Sequence, residues 1–119
     1  MEVLETIGFV DRANDLSADL TQVDLRKLEL ARAMAAKPTL LVSDEAMAGL
    51  SHSEVDEILE ILMVLNDRGV AVLMIEHIMR AVMRFSERII VLDAGKKIAE
   101  GTPDEIVQNP DVERAYLGQ

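Results

Sequence analysis

Two short apolar runs, each followed at once by charged residues, constrain the fold of this chain more than any other feature of its sequence. Thr39–Ser43 is followed by Asp44–Glu45, and Val70–Ile75 is followed by Glu76–His77. Short uninterrupted apolar runs are typical of strands that are covered on both faces. A helical pattern separates the two runs, and this order predicts parallel strands joined by a right-handed crossover. We therefore expect both charged strand ends at the carboxyl edge of one sheet, where open α/β sheets carry their functional groups.

Helices are predicted on both sides of the first run, because apolar residues recur there every three or four positions. The first helix covers about residues 22–36, with Thr21 as its N-cap and Asp24 completing a capping box. The second covers residues 51–68 and is capped by Ser51. Its predicted buried stripe consists of Val55, Ile58, Leu59, Leu62 and Leu65.

Shorter elements are predicted at the two ends of the chain. Residues 2–9 are apolar at helical spacing, and residues 11–19 are polar and predict a loop or a short helical turn. After the second apolar run we predict a helix over 78–85, a strand over 88–92 that continues the parallel sheet, a hairpin turn at 93–96, a strand over 97–100 and a helix from Thr102 onwards.

The composition limits the class of protein. Half of the 119 residues are apolar, which is enough for one domain with a single core. There is no cysteine, so disulfides and thiolate metal sites are excluded. The formal net charge of −10 argues against nucleic-acid binding. We find no signal peptide and no apolar run long enough to span a membrane, and we expect a cytoplasmic location.

Four segments of the chain, in the same order, resemble the motifs of ABC transporter ATP-binding subunits. They are Leu20–Met34, similar to the signature motif and its helix; Leu40–Glu45, similar to the Walker B strand with its catalytic glutamate; Ala48–Ser51, similar to the D-loop; and Ile75–His77, similar to the switch-histidine segment. The tail, with Ile89–Pro103, Asn109–Pro110 and Ala115–Gly118, is similar to the branched-chain amino acid importer group.

This resemblance implies an α/β fold, namely the C-terminal part of a P-loop NTPase (ABC ATPase) fold with a partial, mainly parallel sheet and flanking helices. It assigns residues 1–37 to the end of the helical subdomain and the signature helix, and residues 38–119 to the Walker B, D-loop and switch-histidine part of the core. In this family the P-loop strand lies between the switch-histidine strand and the strand at 88–92. Its absence here predicts unpaired sheet edges, and therefore an oligomer, a strand swap or a rearranged sheet.

The resemblance also implies roles for individual residues of the full-length protein. Asp44 would hold magnesium through water, Glu45 would polarise the attacking water and His77 would contact the γ-phosphate. The remaining implied contacts are Thr21, Gln22, Val23 and Asp24, facing ATP held by the opposite subunit, and Ala48, Gly49, Leu50 and Ser51, in the D-loop at the dimer interface.

The implied cofactors of the full-length protein are ATP and Mg²⁺. The implied partners are the missing N-terminal half of the subunit, a second ATPase subunit and transmembrane permease subunits, which would place the protein at the cytoplasmic face of the membrane. The phosphate-binding pattern G-x-x-x-x-G-K-[ST] does not occur in the sequence. We therefore expect the chain by itself to bind ATP weakly and to hydrolyse it negligibly.

Three sequence departures and two alternatives accompany this interpretation. The usual signature Leu-Ser-Gly-Gly-Gln is replaced by Leu20–Asp24, which keeps a hydroxyl but neither glycine. Ala46 stands where the family usually has proline, and Ile78 stands where it often has aspartate. One alternative is a receiver-like domain with Asp44 as phospho-acceptor and Lys96 nearby, although a helix stands where a receiver carries its acidic strand. The other is an α/β interaction module without catalytic activity.

Overall fold

The computed structural model of the chain describes Asn14 and residues 20–117, with the backbone alone for Leu117. The predictions for residues 2–9, for the loop at 11–19 apart from Asn14, and for Gly118 lie outside the described residues. The elements in chain order are α1 (Gln22–Ala35), β1 (Leu40–Asp44), α2 (His52–Asp67), β2 (Ala71–Ile75), α3 (Met79–Phe85), β3 (Ile89–Asp93), β4 (Lys96–Gly101), α4 (Pro103–Val107), α5 (Pro110–Val112) and a terminal π-helical turn (Glu113–Leu117).

The capping residue at the start of α1 is the one that the sequence predicts. The Asp24 backbone N–H donates to Thr21 Oγ1 at 3.2 Å, and the Thr21 N–H donates to the Asp24 carboxylate at 3.4 Å. At the other end, Lys37 takes a left-handed conformation with φ of 52°, and Pro38 follows. Because proline disfavours helix at the residue before it, the helix ends here.

The α2 helix supplies most of the core around β1 and β2. Ser51 and Glu54 form its capping box, and all five residues of the predicted stripe are buried. At its C-terminal end, the Asn66 side chain donates to the Val70 carbonyl at 3.0 Å and so fixes the turn into β2. Fully burying an aliphatic side chain contributes about 1.5–3 kcal/mol, so this stripe is the largest packing contribution from any one helix here.

The sheet of β1 and β2 is parallel, as predicted, but one of its faces is open. Leu41 and Ser43 point into the core, whereas their neighbours on β1 do not. Four large apolar side chains on the other face are about half exposed, and we call them the open face: Leu40 (54%), Val42 (52%), Leu73 (51%) and Ile75 (47%). The prediction that both faces are covered is therefore wrong for the described residues, because α2 packs against one side of the strands only.

The strand β3 pairs with β4 and not with the parallel sheet. Within residues 20–117 there are two two-stranded sheets, one parallel (β1 and β2) and one antiparallel (β3 and β4). The predicted hairpin is confirmed: Ala94 and Gly95 both have positive φ, 50° and 80°, as a tight two-residue turn requires. The predicted parallel pairing of this strand is wrong for the described residues, since its one partner is the adjacent β4.

The chain divides into two compact units, Met1–Ala81 and Val82–Gln119. The first contains the parallel sheet with α1 and α2. The second has its own small core beneath the hairpin, formed by Ile89, Val91, Ile106 and Val112. All residues to which the resemblance to ABC ATP-binding subunits assigns a role in the ATPase site lie in the first unit. Among the described helices, none combines the length and the apolar character needed to cross a membrane.

Candidate functional site

The parallel register brings the two charged strand ends to one edge of the sheet. Asp44, the last residue of β1, is the register partner of Ile75, the last residue of β2. The next backbone N–H, that of Glu45, donates to the Ile75 carbonyl at 2.8 Å. Glu45 and His77 therefore leave neighbouring strands at the same level, and both side chains reach solvent.

Glu45 and His77 contact each other directly. The His77 Nδ1 atom lies 3.2 Å from Glu45 Oε1. An ionised carboxylate only accepts hydrogen bonds, so this contact requires the proton on Nδ1 and leaves Nε2 free for another partner. The side chains are 65% and 57% exposed, and an ion pair that open contributes at most about 1 kcal/mol. A ligand can reach both groups.

The backbone of Glu45 is strained. Its φ of 51° lies in the left-handed region, which a residue with a long side chain rarely adopts. Strain of this kind costs about 1–3 kcal/mol and concentrates at functional sites. Here the left-handed residue follows directly after Asp44, at the point where the chain leaves β1.

Asp44 is exposed at the end of β1. No group of three or more metal-ligating side chains occurs among residues 20–117. Magnesium keeps several waters and binds through one or two carboxylates together with substrate phosphates. A single accessible carboxylate therefore fits a magnesium ion that is held mainly by water and nucleotide, and does not fit an ion held by protein ligands alone.

The predicted signature segment has one usable hydroxyl and one buried position. Thr21 Oγ1 accepts from the Asp24 backbone N–H, and its own O–H can still donate to an external acceptor. Val23 is only 9% exposed and packs in the core, so its side chain is not available to a ligand. Gln22 is exposed and lies against Gly49: an added Cβ on Gly49 would sit 3.2 Å from Gln22 Nε2.

The predicted D-loop segment joins β1 to α2. Ala48 and Gly49 are exposed and Leu50 is half-buried, while Ser51 caps α2. Gly49 has φ of 80°, which only glycine adopts without strain. The contact of Gln22 with Gly49 thus brings the signature-like and D-loop-like segments together within one chain.

The sequence analysis gave no role to Glu76, which it treated only as a neighbour of His77. In the structure the Glu76 carboxylate accepts hydrogen bonds from backbone groups on both sides of the site. The acidic residue next to His77 was visible in the sequence, but its hydrogen bond to Met47, 29 residues away, was not.

Comparisons with known proteins support the resemblance. A family model described as a branched-chain amino acid ATP-binding cassette transporter matches residues 96–119. LivG of Salmonella typhimurium, a high-affinity branched-chain amino acid transport ATP-binding protein, is 45% identical over 117 residues, covering 98% of this chain and 46% of LivG. BraF of Pseudomonas aeruginosa, which has the same description, is 40% identical with the same coverage of both chains.

A solved structure gives the fold. The ADP conformation of an ATP-binding cassette of an ABC transporter matches 99% of this chain with a TM-score of 0.91, and 48% of that structure is covered. Its 24% identity supports the fold alone. The α/β cassette fold class is thereby confirmed, and the relatives favour it over the receiver and interaction-module alternatives. The chain spans about half the length of the curated relatives that it matches, 46% of LivG. Over nearly its whole length, the chain is thus similar to the C-terminal part of ATP-binding subunits of branched-chain amino acid ABC transporters.

Proposed function

We propose that this chain supplies one wall of the ATP-hydrolysing site in a subunit that drives the uptake of branched-chain amino acids. The observation that carries the proposal is the 3.2 Å contact of Glu45 with His77 at the carboxyl edge of a parallel sheet. The names of the relatives, which are ATP-binding proteins for branched-chain amino acid transport, support the substrate. Residues 1–37 would belong to the helical subdomain and residues 38–119 to the core.

The two side chains suit complementary steps of phosphoryl transfer. The Glu45 carboxylate accepts a hydrogen bond from the attacking water and orients it. His77, with Nδ1 bound to Glu45, contacts the terminal phosphate through Nε2, which donates when the ring is protonated on both nitrogens. The pair thus links the position of the water to the presence of the phosphate.

Asp44 would contact the magnesium ion of the nucleotide through water. When bound, that ion neutralises charge that develops on the phosphates. Asp44 lies one residue before Glu45, and it is Glu45 that contacts His77. Asp44 would act on the magnesium ion, and Glu45 on the attacking water.

The open face is the proposed packing surface for the N-terminal half of the full-length subunit. Its four side chains are each about half exposed, and burying the remainder would contribute about 3–6 kcal/mol. The same half would supply the phosphate-binding loop. A second ATPase subunit would meet Thr21–Asp24 and Ala48–Ser51, and permease subunits would hold the protein at the cytoplasmic face of the membrane.

The proposal is tested with a chimera that joins residues 1–119 to the N-terminal part of Escherichia coli LivG, which is 44% identical to this chain over 117 residues. The chimera is expected to hydrolyse ATP. Glu45→Gln should lower kcat by about 100-fold or more and accumulate an ATP-bound dimer, because a neutral amide oxygen is a much weaker acceptor for the attacking water than a carboxylate. The matched control is Glu60→Gln, an exposed position on α2, which should leave turnover unchanged.

Two results would contradict the proposal. Full turnover by the Glu45→Gln chimera would remove Glu45 from the reaction. Micromolar binding of ATP by the 119-residue chain alone would mean that the phosphate-binding half is not needed for affinity, contrary to the role assigned to the missing loop.

A further inference from the structure

Glu76 occupies a position between the two strand-end loops and bonds to both. Its Oε1 atom accepts from the backbone N–H of Met47 at 3.4 Å. Its Oε2 atom accepts from the N–H of His77 at 3.2 Å and from that of Ile78 at 3.4 Å. One carboxylate therefore receives three backbone donors, one from the loop after β1 and two from the loop after β2.

The hydrogen bond from Met47 connects Glu76 to a residue whose side chain is buried in the core. The Met47 side chain is fully buried, so a bond to its N–H attaches Glu76 to the core and not to a mobile part of the surface. On the other side of the same loop, the Glu45 N–H donates to the Ile75 carbonyl. The N–H groups of Glu45 and Met47 thus tie the loop after β1 to the end of β2 at two points.

The contact between Glu45 and His77 contributes too little free energy to fix the positions of the two side chains by itself. Both side chains are more than half exposed, and exposed ion pairs are screened by water and salt. Glu76 is partly buried, and an ionised carboxylate accepts hydrogen bonds from backbone N–H groups more strongly than a neutral acceptor does. The geometry of the pair therefore depends on the backbone that Glu76 fixes.

We infer that Glu76 is a positioning residue, which joins the loop of Glu45 to the loop of His77 and sets the distance between those two side chains. Its chemistry is specific, because an ionised carboxylate offers acceptors at both oxygens and no donor. A glutamine at this position would place an NH₂ group against at least one backbone N–H. The structural part of the inference stands on these contacts, and its consequence for catalysis rests on the proposed function.

The structural part is tested on the 119-residue chain by NMR. Glu76→Gln and Glu76→Ala should each accelerate amide hydrogen exchange at Met47, His77 and Ile78 by about tenfold, the factor that one lost hydrogen bond of this kind gives. The ¹⁵N shifts of the His77 ring should move as its contact with Glu45 loosens. Amides in the middle of α2 report that the fold is intact, and Glu60→Gln is the matched control. Unchanged exchange at all three amides would overturn the inference.

The catalytic consequence is tested in the LivG chimera. Glu76→Gln should lower kcat by about 10- to 100-fold with the KM for ATP little changed, since misplaced reacting groups slow the step more than binding. Glu76→Asp, which keeps the charge, should recover part of the rate. If the unmodified chimera hydrolyses ATP and Glu76→Gln does so equally well, the inference fails while the proposed function stands. If the unmodified chimera is inactive, the proposed function fails, and the exchange experiment decides the role of Glu76.

Discussion

The left-handed backbone of Glu45 predicts an unusual order of stability among its variants. At φ of 51° a Cβ atom crowds the backbone, whereas glycine has no such clash. We expect Glu45→Gly to be more stable than Glu45→Ala. Both substitutions remove the carboxylate and its contact with His77, so the comparison isolates the backbone.

The magnitude follows from two opposing contributions. A residue with a Cβ in the left-handed region costs about 1–2 kcal/mol, and glycine loses about 0.5–1 kcal/mol more entropy on folding. The glycine variant should therefore be more stable by up to about 1.5 kcal/mol. At Glu60, in the middle of α2, the same pair should reverse, with glycine about 1 kcal/mol less stable than alanine. Subtracting the two comparisons cancels most of the unfolded-chain contribution and leaves the strain at Glu45, about 1–2 kcal/mol.

Urea unfolding followed by circular dichroism at 222 nm suits this measurement. The signal reports mainly the first unit, because α1 and α2 contribute 14 and 16 helical residues there. With an ordinary urea dependence, the double difference corresponds to about 0.5–1 M in transition midpoint. If Glu45→Gly is destabilised relative to Glu45→Ala as much as the pair at Glu60, Glu45 carries no left-handed strain and the reasoning is refuted.

Three further predictions concern other parts of the chain. Gly49→Ala should lower the free energy of unfolding by about 1 kcal/mol and shift the NMR signals of the Gln22 side-chain amide, which the new Cβ would contact. Gly95 has the same φ but no neighbour near the added Cβ, so Gly95→Ala should cost a similar amount without that shift. Ser43→Ala should be neutral or stabilising by up to about 1 kcal/mol in the urea assay, because the buried hydroxyl finds no partner among the described residues; a clear loss would mean that the hydroxyl is bonded. Hydrogen bonding and charge from Lys97 lower the pKa of Glu100 below its ordinary value of 4.5, so Lys97→Met should raise that pKa in an NMR titration. The stabilisation from the Lys97–Glu100 pair is present at pH values above the ordinary pKa of Glu100 and is lost as the pH falls through the lowered pKa. An unchanged pKa of Glu100 in Lys97→Met would mean that Lys97 does not cause the lowering.

Local patterns were sufficient for the elements but not for their environment. The capping boxes at Thr21 and Ser51 and the stripe of α2 depend on residues within one helix, and the sequence placed them within one or two positions. The turn at Ala94–Gly95 was equally local. The exposure of alternate residues on β1 was not predictable, because an apolar run is the same whether its second face is covered by this chain or by another segment.

For the candidate site, too, part of the geometry was predictable from the sequence and part was not. That Glu45 and His77 lie at one edge followed from strand order, since parallel strands end together. The left-handed φ of Glu45 and the bond from Met47 to Glu76 did not follow, because both depend on where the loop after β1 meets the end of β2. Such contacts join residues about thirty positions apart, and no local pattern encodes them.

The open face has a consequence for the chain in solution. Molecules with a net charge of −10 repel one another at long range, while apolar side chains attract only on contact. Salt shortens the repulsion from about 10 Å at 0.1 M to about 3 Å at 1 M and leaves the apolar attraction in place. Added salt, and sulfate above all, should therefore promote self-association of this acidic chain through its apolar surface, whereas the same salt would dissociate an oligomer held together by ion pairs. Light scattering across a salt series therefore distinguishes self-association through the open face from self-association through ion pairs.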